Sequence, residues 1–475
     1  MGYAESSKRG KFSLHSGKLV EIQARNSYGE TRASGRSQYL GRSILIAGWI
    51  LFISLTMTAC RSHRPESVTL TFLDPEWSHD QRERRLQSDA VLQEFTRQTG
   101  IRVNHLPAPE TNSERVALIR DLFQMGESGP DIYSIDAIWP GMFADQLVDL
   151  SPYFQTGALS NDPEVVEDFK IGGRLVAVPY RAVVGVLYYR VDLLHKYGYA
   201  HPPRTWEELE TMALHIQQGE RASGNKDFWG FAWPGAAGEG LLCNALEWQK
   251  SEGGGQIIEA DKTISVNNPA AIHSWERARG WVGRISPPDV LSYREWDAIN
   301  AFANAGRVAF LRSWTSDYIL LHLSSGAVPR SEGITSLPGS NDLRVATLGG
   351  SGLAISKSSG HRSEAIQLIR FLLQKDAQAV AANSNSLKSQ QLYELPLLLK
   401  AFPNSRQGRP AKGAEVVLRP SSMVPSKYDA VANAYVQAVH SVLSGEAKAP
   451  VAAAKLENTL KTVTGFGVKS TRKTF

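Results

Sequence analysis

The side chains best suited to chemistry in this sequence are carboxylates, guanidinium groups and indoles standing just beyond short apolar runs. Asp74, Glu76 and Trp77 follow residues 68–72, Asp136 and Trp139 follow residues 131–135, and Arg419 immediately precedes Pro420. A carboxylate accepts two hydroxyl groups at once, a guanidinium donates a planar fork of N–H groups, and an indole face covers apolar C–H bonds. Such groups together suit a small hydroxyl-rich molecule held where water is excluded. Each has a plainer reading: Asp136 as a helix N-cap, the tryptophans as core, Arg419 as a surface cation, Asp74 and Glu76 as solvated strand ends. Trp233 and Glu295 are weaker candidates of the same kind. The sequence lacks H-E-x-x-H, G-x-S-x-G and P-loop motifs, and its 11 His form no metal-ligand pair on one helix face. Gly253, Gly254 and Gly255 read as a turn, because no strand–turn–helix spacing surrounds them. No cofactor or metal is expected.

The elements that must position these groups follow from periodicity. Residues 68–72 alternate like a half-buried strand. Residues 80–99 place Leu86, Val91, Leu92 and Phe95 at helical spacing up to Gly100, and a strand follows at 101–103. A helix over 112–125 leads into a third strand over 131–135. This β-α-β-α-β order predicts an α/β fold with a mostly parallel sheet, whose ligands bind beyond the carboxyl ends of the strands. Further on, strands are expected at 176–178 and 185–189 and a helix from Val191. Another helix is expected after Thr205, whose pairing with Glu208 makes a capping box. Long helical tracts at roughly 365–400 and 427–444 finish the chain.

The net charge of +5 resides wholly in residues 1–59, where eight Lys or Arg meet three Glu; beyond them the 44 basic and 44 acidic residues cancel. A body without net charge offers no nucleic-acid footprint. Residues 1–42 are polar and Ser/Arg/Gly-rich and read as a disordered extension. Residues 43–59 form an uncharged apolar run, short for a membrane span but suited to a secretory signal, and they end at Thr58, Ala59 and Cys60. That ending resembles the bacterial lipobox. The resemblance implies lipidation of Cys60 and a membrane anchor, with residues 60–67 as tether; a retained signal anchor is the alternative. The other cysteine, Cys243, reads as a small buried hydrophobe.

Several segments in order resemble the extracellular solute-binding proteins of carbohydrate ABC importers, in particular the trehalose/maltose branch. They are residues 131–144 with Asp136 and Trp139, residues 178–194 with Val178, Pro179 and Tyr180, and residues 239–244 with Glu239 and Cys243. Residues 302–314 ending at Trp314, residues 349–357, and Arg419 with Pro420 complete the match. The resemblance implies a two-lobed type II periplasmic-binding-protein fold, maltose-binding-like, with a hinge near residues 180–186, 306–312 and 349–355. It implies discontinuous lobes, 66–181 plus 311–349 and 186–306 plus 356–470. It also implies that Asp136, Trp314 and Arg419 face a sugar in the cleft, that the partners are a small carbohydrate and ABC permease subunits, and that the protein is an extracytoplasmic monomer. Two positions depart from the family pattern: Val183 replaces a polar anchor and Ser351 a stacking tryptophan, while Arg181 adds a cation. These changes point to a ligand other than trehalose or maltose, smaller or anionic. The rival readings are a secreted glycoside hydrolase, which would need two carboxylates at a defined separation, and a sugar sensor without transport.

Overall fold

The computed structural model describes residues 68–75, 81–109, 112–155, 163–317, 332–340, 343–374 and 414–469. The first three expected strands and two expected helices form nearly where the periodicity places them. They are β1 (Thr69–Pro75), α1 (Gln81–Thr99), β2 (Arg102–Ala108), α2 (Asn112–Gln124) and β3 (Ile132–Asp136). β1 pairs in parallel with β2 on one side and β3 on the other. Short elements follow: α3 (Pro140–Phe143), α4 (Pro163–Glu167), and the hairpin of β4 (Lys170–Ile171) and β5 (Arg174–Leu175).

The two strands expected at 176–178 and 185–189 are one 13-residue strand, β6 (Val178–Arg190). Gly185, where the second of those strands is expected to begin, is a point of close approach. A Cβ there would come within 2.2 Å of Glu247 Oε1 and 2.7 Å of Arg312 Nη2, so only glycine lets that ion pair lie against the strand. The next elements are α5 (Val191–Lys196), α6 (Trp206–Ala222), β7 (Trp229–Ala232), α7 (Glu239–Ser251), α8 (Pro269–Arg279), α9 (Glu295–Phe302) and β8 (Val308–Trp314). Thr205 caps α6 by accepting the Glu208 N–H at 3.2 Å, while the Glu208 carboxylate reaches back to the Arg204 N–H at 2.6 Å. The chain then forms β9 (Glu332–Ser336), β10 (Gly339–Ser340), β11 (Leu343–Ile355), α10 (Arg362–Leu372), β12 (Ala414–Val417), α11 (Tyr428–Leu443) and α12 (Ala449–Thr464).

Among the described residues the main sheet runs β2-β1-β3-β11-β6-β8-β7, with β9 on β6 and with β10 and β12 on β11. β6 and β11 are the long members, and each changes partners along its length. β6 pairs with β11 over 178–184, then with β8 and β9 over 185–190. β11 pairs with β12 over 344–347, with β6 over 348–353 and with β3 over 351–355. The expected hinge positions near 180–186 and 349–355 coincide with these changes of partner.

β8 pairs with β7 over 308–311 and with β6 over 310–314, so near 306–312 the chain stays within one part of the sheet. The pairing also departs from the expected grouping of segments. β8 and β9 join the second part of β6 rather than the 66–181 segment, and α10 packs on the first segment through Phe371 against Phe95, 5.3 Å between ring centroids.

The core behind β7 is rich in indoles. Trp206, Trp233, Trp248 and Trp281 are buried and meet at 5.1–5.5 Å between centroids, mostly edge-to-face. Such contacts add about 1 kcal/mol each beyond area burial. No helix among the described residues is long and apolar enough to cross a membrane. Residues 43–60, with the expected signal and Cys60, lie outside the described residues.

Candidate functional site

Asp74 ends β1 and Asp136 ends β3, so the parallel pairing delivers two carboxylates to the same edge of the sheet. Both are buried, at 6% and 7% exposure. β11 runs antiparallel to β3 and sets Ser351 opposite Asp136, while on its other side Ser351 faces Arg181 of β6. Between Ser351 and Gly352 the register slips by one residue, leaving Tyr180 as the extra residue of a bulge. A bulge re-aims the side chains beside it. Here the Arg181 guanidinium lies 4.8 Å from the Tyr180 ring centroid and grips Asp74 with two N–H···O contacts of 3.2 Å. Gly350 permits the turn of the chain at this point: its φ is +132°, and a Cβ would stand 2.0 Å from the Arg181 carbonyl oxygen.

The second cation arrives from far along the chain. Arg419, two residues past β12 and 5% exposed, donates through Nη1 to Glu239 Oε2 at 3.2 Å and through Nη2 to Asp136 Oδ1 at 3.5 Å. Glu239 opens α7, and its carboxylate also accepts the Tyr428 hydroxyl of α11 at 3.0 and 3.1 Å. Burial raises the Glu239 carboxyl above its ordinary value, with Arg419 opposing and Asp136 adding to the rise. Asp136 Oδ1 accepts the Ile138 N–H at 3.2 Å, which fixes its rotamer; it is not the cap of α3, where Trp139 stands. Asp168, between α4 and β4, is 3% exposed, and burial pushes it up to about 7, with Arg419 opposing and Asp136 adding to the rise. Arg115 of α2 is buried on the other flank, its guanidinium 5.8 Å from the Trp139 ring centroid.

Three buried polar atoms of this cluster find no hydrogen-bond partner among the described residues: Ser351 Oγ, Asp168 Oδ1 and Arg419 Nε. A buried polar atom left unsatisfied costs about 1–3 kcal/mol. Atoms in this condition are free to meet a polar group from outside the protein.

Farther along β6 and β8 stands Trp314. Its ring lies against Gly349, where a Cβ would fall 3.1 Å from Cζ3, and the Arg312 guanidinium stacks on it at 4.3 Å. Arg312 is held in turn by Glu247 of α7, at 3.0 and 2.5 Å, with both side chains 1% exposed. The Glu247 carboxylate also accepts the Thr347 N–H at 3.0 Å. This buried pair ties α7 to β6, β8 and β11 and fixes the platform on which Trp314 rests.

The structure thus brings together Asp74, Asp136, Arg181, Ser351 and Arg419, with Trp314 nearby along the same strands. Glu295 approaches the start of α7, where a Cβ at Gly240 would lie 2.6 Å from its Oε1. Trp139 is 2% exposed in the core beside the cluster. Trp233 does not join it: it is fully buried, donates its indole N–H to Ser286 Oγ at 3.1 Å and packs against Trp248, so its role is core packing rather than stacking. Glu76, Trp77 and Cys60 lie outside the described residues. Asp168, Tyr428, Arg115 and the Arg312–Glu247 pair are additions that sequence reasoning missed, and Glu239 was noticed only as part of a motif. Cys243 is 1% exposed and burial pushes its thiol up to about 12, as suits a small core residue.

Two long strands shared by both parts of a sheet, with acids and arginines converging where they change partners, define the two-lobed solute-capturing fold of type II periplasmic binding proteins. The comparisons agree. Residues 90–387 match the family described as bacterial extracellular solute-binding protein. A probable ABC transporter-binding protein of Deinococcus radiodurans is 35% identical over 420 residues, covering 87% of this chain and 98% of that one. Among solved structures, maltose-bound MalE3 of T. maritima aligns with a TM-score of 0.69 and 31% identity over 84% of this chain and 100% of that one. A solute-binding protein of Thermotoga lettingae bound with α-D-tagatose aligns with a TM-score of 0.66 at 19% identity, over 84% and 100% of the two chains. The chain belongs to the bacterial extracellular solute-binding protein family. The matched relatives are binding proteins rather than enzymes, and the family is extracytoplasmic.

Proposed function

We propose that the protein captures a small carbohydrate between two lobes and presents it to the permease of an ABC importer, as a monomer tethered to the membrane by a lipidated Cys60. The observation that carries this reading is the cluster of Asp74, Asp136, Arg181, Ser351 and Arg419, two of whose members keep unsatisfied polar atoms, with Trp314 farther along the same strands. Sugar hydroxyls match the carboxylates and guanidiniums, and sugar C–H faces match the indole. A relative at 31% identity is maltose-bound, and one at 35% identity is named as a transporter-binding protein.

The strand pairing supports one lobe built from β1 to the first part of β6 with the second part of β11 and α10. The other lobe takes the second part of β6 through the first part of β11, with β12, α11 and α12. Closure is a hinge motion about β6 and β11, favoured by ligand because ligand touches both lobes. Asp136 and Ser351 belong to the first lobe; Glu239, Trp314 and Arg419 belong to the second.

Isothermal titration with maltose, α-D-tagatose and D-mannitol tests the reading. We expect micromolar binding of at least one, lost by tenfold or more in Asp136→Ala and Arg419→Ala. Turnover of the sugar would favour the glycoside-hydrolase reading, and unchanged affinity in both variants would remove the cluster from the site. Cys60→Ala should release the protein from the membrane fraction; continued retention would refute the lipid tether.

A further inference from the structure

The stretch of chain from Arg419 to Asp429, between β12 and the first residues of α11, touches the opposite lobe three times. Its own side is anchored in the second lobe. β12 pairs with the first part of β11, the Tyr428 hydroxyl donates to Glu239 of α7, and Tyr435 of α11 donates to Gln249 and packs against Trp275 of α8. The N–H groups of Met423 and Val424 donate to the Pro420 carbonyl at 3.2 and 3.1 Å, and that of Lys427 to the Val424 carbonyl at 2.9 Å, which folds the stretch into successive turns. Arg419 makes the first contact, on Asp136. Pro425 makes the second, on α3: a Cβ at Gly141 would stand 2.5 Å from Pro425 Cβ and 2.9 Å from its Cα. Asp429 makes the third, accepting from Arg120 Nη2 of α2 at 3.0 Å, and the same nitrogen lies 3.1 Å from Sδ of Met142, the residue after Gly141. α2 and α3 are packed into the first lobe, since Phe123 of α2 stacks on Tyr133 of β3 at 4.5 Å and lies 5.3 Å from Phe143 of α3. None of these contact residues lies in β6 or β11. Rotation of one lobe against the other about those strands therefore makes or breaks the contacts.

We infer that Gly141 with Pro425, and Arg120 with Asp429, form a latch between the lobes that sets ligand affinity through closure, without serving as ligand contacts. The inference rests on the two-lobe carbohydrate reading above and deepens it. Apparent affinity scales with the fraction of protein in the binding-competent arrangement, so contacts made only on closure tighten binding from outside the site. Glycine at 141 is what this closeness requires. Carbon atoms in ordinary contact stand about 3.5–4.0 Å apart, so even a methyl at 141 drives the lobes apart by about 1 Å. The three atoms nearest to such a Cβ all belong to Pro425, and Gly141 has no positive φ. Parting of the lobes, rather than local unfolding, relieves the clash. The Arg120–Asp429 pair is exposed, at 51% and 58%, so its share is small and sensitive to salt.

The test is titration of the full chain and its variants with maltose, α-D-tagatose and D-mannitol, beside melting curves of the ligand-free proteins. For a probe that binds the unmodified protein, Gly141→Ala should weaken affinity about threefold to tenfold and Gly141→Leu about tenfold or more, with ligand-free melting little changed. Asp429→Arg should weaken it about twofold to fivefold. The swap of Arg120→Asp with Asp429→Arg should restore it, a rescue that a merely structural role for either residue would not give. A short bismaleimide added to the ligand-free protein carrying Arg120→Cys and Asp429→Cys should join the two positions, as read by peptide mass spectrometry. Unchanged affinity in Gly141→Leu, or a swap that binds no tighter than Asp429→Arg alone, overturns the latch and leaves the carbohydrate reading intact. Should Gly141→Leu not fold, Gly141→Ala takes its place. Failure of every probe to bind the unmodified protein overturns the carbohydrate reading; the crosslink then decides the latch, its formation supporting the contact between lobes and its absence refuting it.

Discussion

Replacing Glu247 by glutamine should destabilise the protein far more than its single-atom change suggests. The carboxylate makes two charge-assisted contacts with Arg312 and one with the Thr347 N–H, and both members of the pair are 1% exposed. Glutamine fits the space and keeps an acceptor, but it leaves the Arg312 guanidinium buried without its counter-charge. Removing one partner of a fully buried pair costs about 3–5 kcal/mol, whereas removing both is often neutral. The same atoms hold the Trp314 platform, since Arg312 stacks on that ring at 4.3 Å. We therefore expect Glu247→Gln to lose about 3 kcal/mol or more, and the double variant Glu247→Gln with Arg312→Met to recover most of it. Urea denaturation followed by circular dichroism, arranged as a double-mutant cycle, measures both values. A single-variant loss below about 1 kcal/mol, or a double variant no better than the single, would refute the reasoning.

Asp168→Asn should stabilise the protein at alkaline pH. The folded state raises this carboxyl from 3.8 to about 7, so the folded form binds the extra proton between those values and stability falls as pH rises through them. At about 1.4 kcal/mol per unit the loss above pH 7 is at most about 4 kcal/mol. The variant should gain part of that at pH 8 and nothing near pH 4 in denaturation series at the two pH values; an equal effect at both would refute the assignment. Gly350→Ala should cost several kcal/mol and weaken sugar binding, because its Cβ would stand 2.0 Å from the Arg181 carbonyl oxygen at a φ of +132°; wild-type melting and affinity would show that β11 relaxes freely. Thr205→Ala should lose about 1 kcal/mol through the missing cap on α6, a change that thermal melting detects and that sugar affinity should not follow.

The first part of the fold was legible because its strands alternate and its helices carry apolar residues at helical spacing between glycine stops. The long strand β6 was read as two, at 176–178 and 185–189, and the reason for a glycine at 185, an ion pair from α7 and β8, is distant in sequence. The α7 helix escaped notice for a related reason. Asn244, Glu247 and Gln249 are all buried, and Gln249 is satisfied by Gly254, Gln256 and Tyr435, so the helix shows no clean polar face to a periodicity argument. At the site, Asp74, Asp136, Arg181, Ser351 and Arg419 were named from strand ends and from the family resemblance. Asp168 follows Pro163, Glu164, Val165, Val166 and Glu167, a run that reads as a solvated helix end, and only the packing of Phe169 on Gly352 draws it inside. Trp233 erred in the opposite sense: an indole beside a proline and glycine suggests an exposed platform, yet tertiary contacts with Ser286 and Trp248 claim it.

The indole cluster behind β7 has a practical consequence for optical work. Coupled rings held edge-on in a dry interior give sharp near-ultraviolet dichroism and short-wavelength emission that vary with unfolding. Trp314 is less enclosed and rests on a cation, so its emission sits at longer wavelength and is dimmed by a charged neighbour. On the proposed carbohydrate reading, a change in red-edge emission on adding sugar reports contact at Trp314, over the steady signal of the similarly placed Trp229, while dichroism registers the integrity of the distant packing. One unlabelled sample can then separate occupancy from collapse.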